Sequence, residues 1–272
     1  MWPFERASRR DVLRICREAV EHWVPTPAGL ALRRRELLPV AMSLAALEDA
    51  IRLLSSAAND GVAPRIDVVF ESSWLPVMLL VPLPVHRTVA DLESLLTARL
   101  ASLHDSADDP VSNWALKIDG LPGQACVCGY GFPAKVREAT LRALRDSNAQ
   151  ASSLQPAFAW ARAHASQWLA RRHSGWWLWQ EDDRTLAVGL VRGRIASLHP
   201  AMPPLQMLGE PRKVAELEAA RTGIDPGSTV LVGAWSPPDS PREGMRWLSV
   251  TGSRSIVAGA TPFGSSPAKE SA

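Results

Sequence analysis

The chain has 272 residues, of which 46% are hydrophobic and 21% are charged, and 30 basic against 28 acidic side chains leave a formal net charge of +2. This composition provides apolar material for one large or two modest domains and excludes a disordered chain. A chain so close to neutral gives no electrostatic reason to expect nucleic acid as a partner.

The cysteines and the apolar runs indicate a reducing, cytoplasmic setting. Cys16, Cys126 and Cys128 are too few for a disulfide framework or a four-ligand zinc site, so we predict no metal. The most apolar run, residues 74–85, is interrupted by three prolines and is shorter than the ~20 residues of a membrane-spanning helix. We therefore expect a cytoplasmic protein with no direct membrane span.

The first predicted elements are extended. Residues 11–20 suit either an amphipathic helix or a pair of strands, and the context favours the strand pair. A third extended segment follows over residues 30–40 and contains the run Arg33–Arg35. That run predicts a solvated strand edge that discourages pairing, and a patch for phosphate or lipid headgroups is the alternative.

Helices and further strands alternate through the next part of the chain. Ser43 is a suitable N-cap for a helix over residues 44–58. A hairpin is predicted from residues 66–71 and 74–81, and Asp91 can cap a helix that ends near residue 103.

The order of strand, strand and helix then repeats. Residues 114–118 and 125–130 predict a strand pair, and Pro133 opens a helix that extends to about residue 148. A short strand over residues 151–154 leads to a helix over residues 157–171.

A meander of three strands is predicted over residues 176–200. The first run ends at Trp179, a polar turn covers residues 180–184, and an Arg-Gly turn at Arg192 and Gly193 separates the second and third runs. Beyond the meander we predict a helix over residues 214–221 that Gly223 stops. A buried strand over residues 228–234 and an edge strand near residues 247–250 complete the prediction.

These elements predict a two-lobed α/β fold with mixed sheets flanked by helices. Residues 1–104 are assigned to the first lobe, residues 105–260 to the second, and residues 261–272 to a disordered tail.

The chemistry of the sequence is sparse. It contains no Walker-type phosphate loop, no dinucleotide fingerprint, no HExxH and no GxSxG, and we predict no catalytic residue. The densest acidic cluster, Glu181, Asp182 and Asp183, lies in the predicted polar turn. These carboxylates could position Mg²⁺ on nucleotide phosphates, or the segment could be a solvated hairpin turn.

Tryptophan is the unusual residue, with eleven in the chain. Consecutive Trp176 and Trp177 must point to opposite faces of a strand, so we expect at least one of them outside the central core. With Arg171 and Arg172 nearby, these side chains are a candidate partner-binding surface, and core filling is the alternative.

The segment Phe158–Arg162 and the meander with its turn at Arg192–Arg194 resemble the second half of PilM, an actin-like protein of type IV pilus machines, and of the GspL cytoplasmic domain of type II secretion. The resemblance implies an actin-like, ribonuclease H-like fold. It departs from the family where phosphate would bind, because residues 180–184 replace an Asp-x-Gly turn and no such motif occurs near Arg17.

The resemblance and this departure together imply a pseudo-ATPase without a cofactor. It would be an adaptor that docks the short cytoplasmic tail of an inner-membrane pilus or secretion protein, and self-association is left open. The alternative is an active ATPase that uses Asp182 or Asp183 with ATP and Mg²⁺.

Overall fold

The computed structural model describes residues 10–27, 29–56, 63–81, 88–104, 106–120, 124, 126–165, 174–204, 210–227, 230–235 and 245–249. Thirteen strands fall within these residues: β1 Asp11–Ile15, β2 Ala19–Thr26, β3 Gly29–Leu37, β4 Arg65–Phe70, β5 Val77–Leu80, β6 Ala115–Asp119, β7 Val127–Phe132, β8 Gln150–Pro156, β9 Gly175–Gln180, β10 Thr185–Val191, β11 Arg194–Met202, β12 Val230–Ala234 and β13 Met245–Ser249. Five α-helices accompany them: α1 Leu44–Ser55, α2 Val89–His104, α3 Ala134–Asp146, α4 Ala157–Ala165 and α5 Pro211–Thr222.

The first sheet has the strand order β3-β2-β1-β4-β8. The predicted strand pair at its centre is confirmed, because β1 and β2 are antiparallel neighbours and β3 follows antiparallel to β2. Both β4 and β8 run parallel to β1, so the carboxyl ends of β1 and β4 lie at the same edge. Helices α1 and α3 pack on one face of this sheet.

A small sheet of order β5-β7-β6 carries α2 on one face. The strand pair of β6 and β7 is confirmed, but the hairpin predicted from residues 66–71 and 74–81 is wrong. The chain leaves the first sheet after Phe70, and β5 pairs with β7 instead of β4. Both strands are apolar, and an apolar pattern by itself does not choose a strand's partner.

The second large sheet has the order β11-β10-β9-β12-β13 and contains the predicted meander. Its second turn is confirmed, since Arg192 and Gly193 have φ of 52° and 73°, the left-handed pair that a two-residue hairpin requires. Helix α5 packs on one face of this sheet and ends at Gly223, whose φ of 74° completes the predicted stop.

Helix starts follow local capping chemistry. The Ser43 side chain accepts a hydrogen bond from the Ala46 N–H and caps α1 as predicted. The predicted cap of α2 at Asp91 is wrong, because Thr88 caps the helix and exchanges hydrogen bonds with Asp91, the third helical residue, in a capping box.

The two large sheets share one apolar core. It joins Val12 and Trp23 of the first sheet, Phe158 of α4, and Trp177 and Leu186 of the second sheet. The boundary predicted at residue 104 does not separate the two large sheets, because β8 completes the first sheet although its residues were assigned to the second lobe. A parallel partner for β4 must come from a distant part of the chain, and periodicity does not identify it.

No helix among the described residues combines the length and the apolar character that crossing a bilayer requires.

Candidate functional site

We call the first sheet with its helices the first lobe, and the second large sheet with its helices the second lobe. Three chain segments from the two lobes meet at the carboxyl ends of β1 and β4. They are the β1–β2 turn, the residues after β4, and the β9–β10 turn. The Glu71 N–H donates to the Ile15 carbonyl at 3.0 Å, which fixes the end of β4 beside the end of β1. The β9–β10 turn is closed by a hydrogen bond from the Glu181 N–H to the Arg184 carbonyl at 2.9 Å.

Arg14 is the centre of the site. It lies in β1, is 5% exposed, and donates to Glu21 at 2.9 Å and to Asp182 of the opposite lobe at 2.5 Å. It also donates to Glu71, and its guanidinium lies 5.1 Å from the centre of the Trp235 ring. Burial alone would lower the pKa of Arg14, but the surrounding anionic groups outweigh burial and raise it, so the guanidinium is charged.

Glu71 is fully buried and contacts the opposite lobe through the backbone of Asp182. Besides the bond from Arg14, its carboxylate accepts a hydrogen bond from the Asp182 N–H at 3.2 Å. Burial raises the pKa of Glu71 to about 8 against the opposing effect of Arg14, and Glu181 and Asp182 add to the rise. A proton on this carboxyl near neutral pH limits the negative charge around Arg14.

Glu181, the first residue of the predicted acidic cluster, points away from solvent. Its side chain is 1% exposed and accepts from the Ser72 N–H at 2.9 Å and from the Ser72 hydroxyl. Burial raises the pKa of Glu181 to about 7, although the hydrogen bonds from Ser72 oppose the rise. Glu181 therefore fastens the β9–β10 turn to the first lobe.

Asp183 forms a second link between the turns. It accepts from Arg17 of the β1–β2 turn at 3.3 Å and from Arg184 at 2.8 Å. Burial would raise the pKa of Asp183, but the bonds from Arg184 and Arg17 outweigh it and lower the pKa. Asp183 is thus a charged partner of two arginines.

Beside these links lies an open cleft of about 600 Å³. Two tryptophans, Trp23 and Trp235, contribute to its wall, with ring centres 5.8 Å apart. Its charged lining comprises three arginines and five carboxylates: Arg14, Arg17, Arg35, Glu18, Glu21, Glu181, Asp182 and Asp183. Arg35 lies 3.6 Å from both Glu21 and Asp182, so all three arginines are already paired with carboxylates.

The residues present do not fit Mg²⁺ with a nucleotide. A phosphate cradle brings backbone N–H groups close to the anion, which glycine permits, and neither turn contains a glycine. Cys16, Glu71 and Asp182 place ligand atoms within 4.8 Å of one another, but burial raises the pKa of the Cys16 thiol well above its ordinary value. A protonated thiol and a buried arginine beside the same carboxylates are unsuitable for a cation that prefers oxygen ligands.

The structure brings Glu181, Asp182 and Asp183 together at one turn and gives each a different partner. Sequence reasoning missed the residues that they meet, namely Arg14, Arg17, Arg35, Glu71 and Ser72. A signal was present, because Arg14 and Glu71 are charged residues within or directly after strongly apolar strands. A buried charge in such a position requires an opposite charge nearby.

The expectation that Trp176 or Trp177 lies outside the core is wrong. They do point to opposite faces, but α5 covers one face of the second sheet and α4 covers the other, so the two side chains are 0% and 1% exposed. Neither can contribute to an exposed rim. Arg171 and Arg172 lie outside the described residues.

Comparison with known proteins identifies the class of fold. No family model and no curated protein sequence matches the chain. Among solved structures, it is similar to a Bacteroides thetaiotaomicron protein with an actin-like ATPase fold and unknown function, at 9% identity and a TM-score of 0.52, with 88% of this chain and 86% of that chain covered. The predicted two-lobed actin-like fold is confirmed.

Two further solved structures to which the chain is similar come from pilus and secretion systems. The PilM–PilN type IV pilus biogenesis complex matches at 13% identity and a TM-score of 0.53, with 83% of this chain and 81% of that chain covered. The cytoplasmic domain of EpsL, an inner-membrane component of the type II secretion system of Vibrio cholerae, matches at 14% identity and a TM-score of 0.49, covering 92% and 89%.

Proposed function

We propose that this chain is a non-catalytic actin-like adaptor of a pilus-assembly or secretion platform. In this proposal it works in the cytoplasm at the inner face of the inner membrane and docks the short tail of a membrane partner. The observation that carries the proposal is the direct ion pairing of β1 and the β1–β2 turn with the β9–β10 turn, through Arg14–Asp182 and Arg17–Asp183, where the family resemblance places phosphate.

Electrostatics disfavours a nucleotide in the cleft. A triphosphate would face more carboxylates than arginines, and each arginine would have to leave a partner before it could bind phosphate. Of the three cleft arginines only Arg14 is buried, and removing a partner from such a buried ion pair costs about 3–5 kcal/mol, against about 8 kcal/mol for micromolar binding. This cost supports a pseudo-ATPase with no nucleotide cofactor.

The fold comparison supports the adaptor part. The chain shares its fold with PilM, which is described in a complex with PilN. Pairing across the cleft and a continuous apolar core between the sheets favour a scaffold with a fixed arrangement of lobes. Since Trp176 and Trp177 are buried, a tail must dock elsewhere on the surface.

Calorimetric titration with ATP and Mg²⁺ tests the pseudo-ATPase part. We expect no saturable heat at nucleotide concentrations up to about 1 mM, in the wild-type chain and equally in Asp182→Ala and Asp183→Ala variants. Micromolar binding with turnover that either substitution abolishes would establish the alternative, an active ATPase that uses these carboxylates.

Affinity capture from the chain's own organism tests the adaptor part. The full chain should recover an inner-membrane pilus or secretion component, and loss of that component with Asp182→Ala would indicate that the tail docks at the cleft. Recovery of no such component would contradict the adaptor part without affecting the titration result.

A further inference from the structure

The segment from the middle of β3 to the start of α1 combines exposed apolar side chains with arginines. Leu37, Val40 and Met42 are 68%, 63% and 39% exposed, and we call these three residues the apolar tip. Arg33, Arg34 and Arg35 precede the tip on β3, which is an edge strand of the first sheet. Neither the cleft nor the proposed adaptor function uses the apolar tip.

The apolar tip is held in place by the fold. Leu38, between its members, is buried in the core on the α1 side, and the Leu38 N–H donates to the Glu18 carbonyl at 2.8 Å. The Met42 N–H donates to the Arg17 carbonyl at 3.4 Å, and the Ser43 N–H donates to the Val40 carbonyl at 3.2 Å. The exposed side chains are therefore presented by an anchored turn.

Met42 adopts a backbone conformation that glycine or asparagine would adopt more easily. Its φ is 61°, in the left-handed region that side chains other than glycine, asparagine and aspartate seldom occupy. An exposed methionine at such a position contributes strain and little burial. This choice of residue is explained if the methionine side chain has an apolar environment that the isolated chain does not provide.

The charges beside the tip favour an anionic surface. Arg34 and Arg35 have side chains 46% and 47% exposed, and two residues of strand, about 7 Å, separate Arg35 from Leu37. Two carboxylates share this edge: Glu36 lies 3.9 Å from Arg34, and Glu18 is exposed on the β1–β2 turn. Arg17 and Arg35 face carboxylates of the cleft, whereas Arg33 and Arg34 lie at exposed positions of β3 next to the tip.

We propose that the apolar tip inserts into the interfacial region of an anionic bilayer, with Arg33 and Arg34 of β3 near the lipid phosphates. Apolar side chains flanked by basic residues are the combination by which peripheral proteins bind anionic lipid. The tip residues do not line the cleft, so an extended peptide bound in the cleft would not contact them. This contact does not require the proposed protein partner and would act beside it.

Co-flotation of the purified full chain with vesicles tests this proposal. Vesicles of phosphatidylcholine and phosphatidylglycerol at 70:30 should carry the chain, whereas pure phosphatidylcholine should carry about tenfold less, and 1 M NaCl should remove most of the difference. An Arg33→Ser/Arg34→Ser variant should lose the preference for phosphatidylglycerol.

A Val40→Ser/Met42→Asn variant separates membrane contact from folding. Asparagine tolerates the left-handed backbone at position 42, so the thermal midpoint should not fall, while binding to the anionic vesicles should weaken about tenfold. Leu217→Ser is the matched control, because Leu217 is 71% exposed on α5 and should have no effect on binding.

Three results would overturn the proposal. The first is a wild-type chain that does not float with the anionic vesicles, and the second is an equal loss of binding in the Leu217 control. The third is unchanged vesicle binding in the tip variant together with a loss of self-association in sedimentation, which would assign the tip to a second copy of the chain. None of these results affects capture of the protein partner, so the two proposals fail separately.

Discussion

Replacement of Arg14 by methionine is the most direct test of the charge network that joins the lobes. Methionine keeps an unbranched apolar stem like that of arginine but removes the cation from between Glu21, Glu71 and Asp182. The first two carboxylate side chains are 4% and 0% exposed, so they cannot exchange the lost partner for water.

The expected loss of stability is about 3–5 kcal/mol, which is typical for removal of one partner from a buried ion pair. Two features keep it near the lower end. Glu71 can retain a proton, because its pKa is already raised to about 8, and Arg35 remains 3.6 Å from both Glu21 and Asp182. A domain of this size loses roughly 2–4 °C of thermal midpoint per kcal/mol, so we expect a fall of about 10 °C.

Urea denaturation at pH 7 gives the free energy, and repetition at pH 5 adds a second criterion. Without Arg14, protonation of the neighbouring carboxyls removes the cost of burying their negative charge, so the substitution should lower stability less at pH 5 than at pH 7. Arg34→Met, at an exposed position, is the control and should change stability by no more than about 0.5 kcal/mol. A loss below about 1 kcal/mol for Arg14→Met, or a larger loss at pH 5, would refute the network as described.

Three further predictions concern the carboxyls and the tryptophan core. Burial raises the pKa of Glu71 to about 8 and of Glu181 to about 7, from the ordinary carboxyl value of 4.5. Between these values the folded chain keeps protons that the unfolded chain has released, so the contribution of the two carboxyls to stability should fall as pH rises from about 5 to 8. Denaturation across this range should show a smaller decline in Glu71→Gln and Glu181→Gln variants. Gly233→Ala should lower the free energy of unfolding by about 1–3 kcal/mol, because a Cβ there would lie 2.6 Å from Trp177 and 2.7 Å from Trp179. Trp177→Ala should cost about 3–5 kcal/mol in the same assay, since a large buried side chain leaves a cavity.

Each of these predictions has a contrary outcome. Glutamine variants that decline with pH as steeply as the wild type would place the two protons elsewhere. A Gly233→Ala chain as stable as the wild type would show that Trp177 and Trp179 accommodate a Cβ at that position. A Trp177→Ala chain of wild-type stability that no longer captures its partner would restore the partner-binding hypothesis for that residue.

Local chemistry made much of the fold predictable. The cap at Ser43, the stop at Gly223 and the turn at Arg192 and Gly193 follow from short patterns that act over a few residues, whereas the strand pair that begins at residue 11 was chosen over a helix from its context. The same patterns misplaced the strand over residues 77–80, because its partner β7 lies some fifty residues further along the chain.

The candidate site was only half predictable. The cluster Glu181–Asp183 was found from its composition, and the missing glycines in both turns could be noted from sequence alone. Its partners come from β1, the end of β4 and β3, and their meeting depends on the parallel pairing of β1 with β4 and on the packing of the two lobes.

The sequence by itself determined the order of most strands and helices, several of their turns and caps, and the lack of glycine in the two turns that the family resemblance assigns to phosphate, because these properties depend on neighbouring residues. Only the tertiary structure decided that Trp176 and Trp177 are both buried, since helices packed on both faces of one sheet cover them. It also decided that Asp182 and Asp183 face arginines of the other lobe. A charge far along the chain becomes a partner only when the sheets bring it within bonding distance.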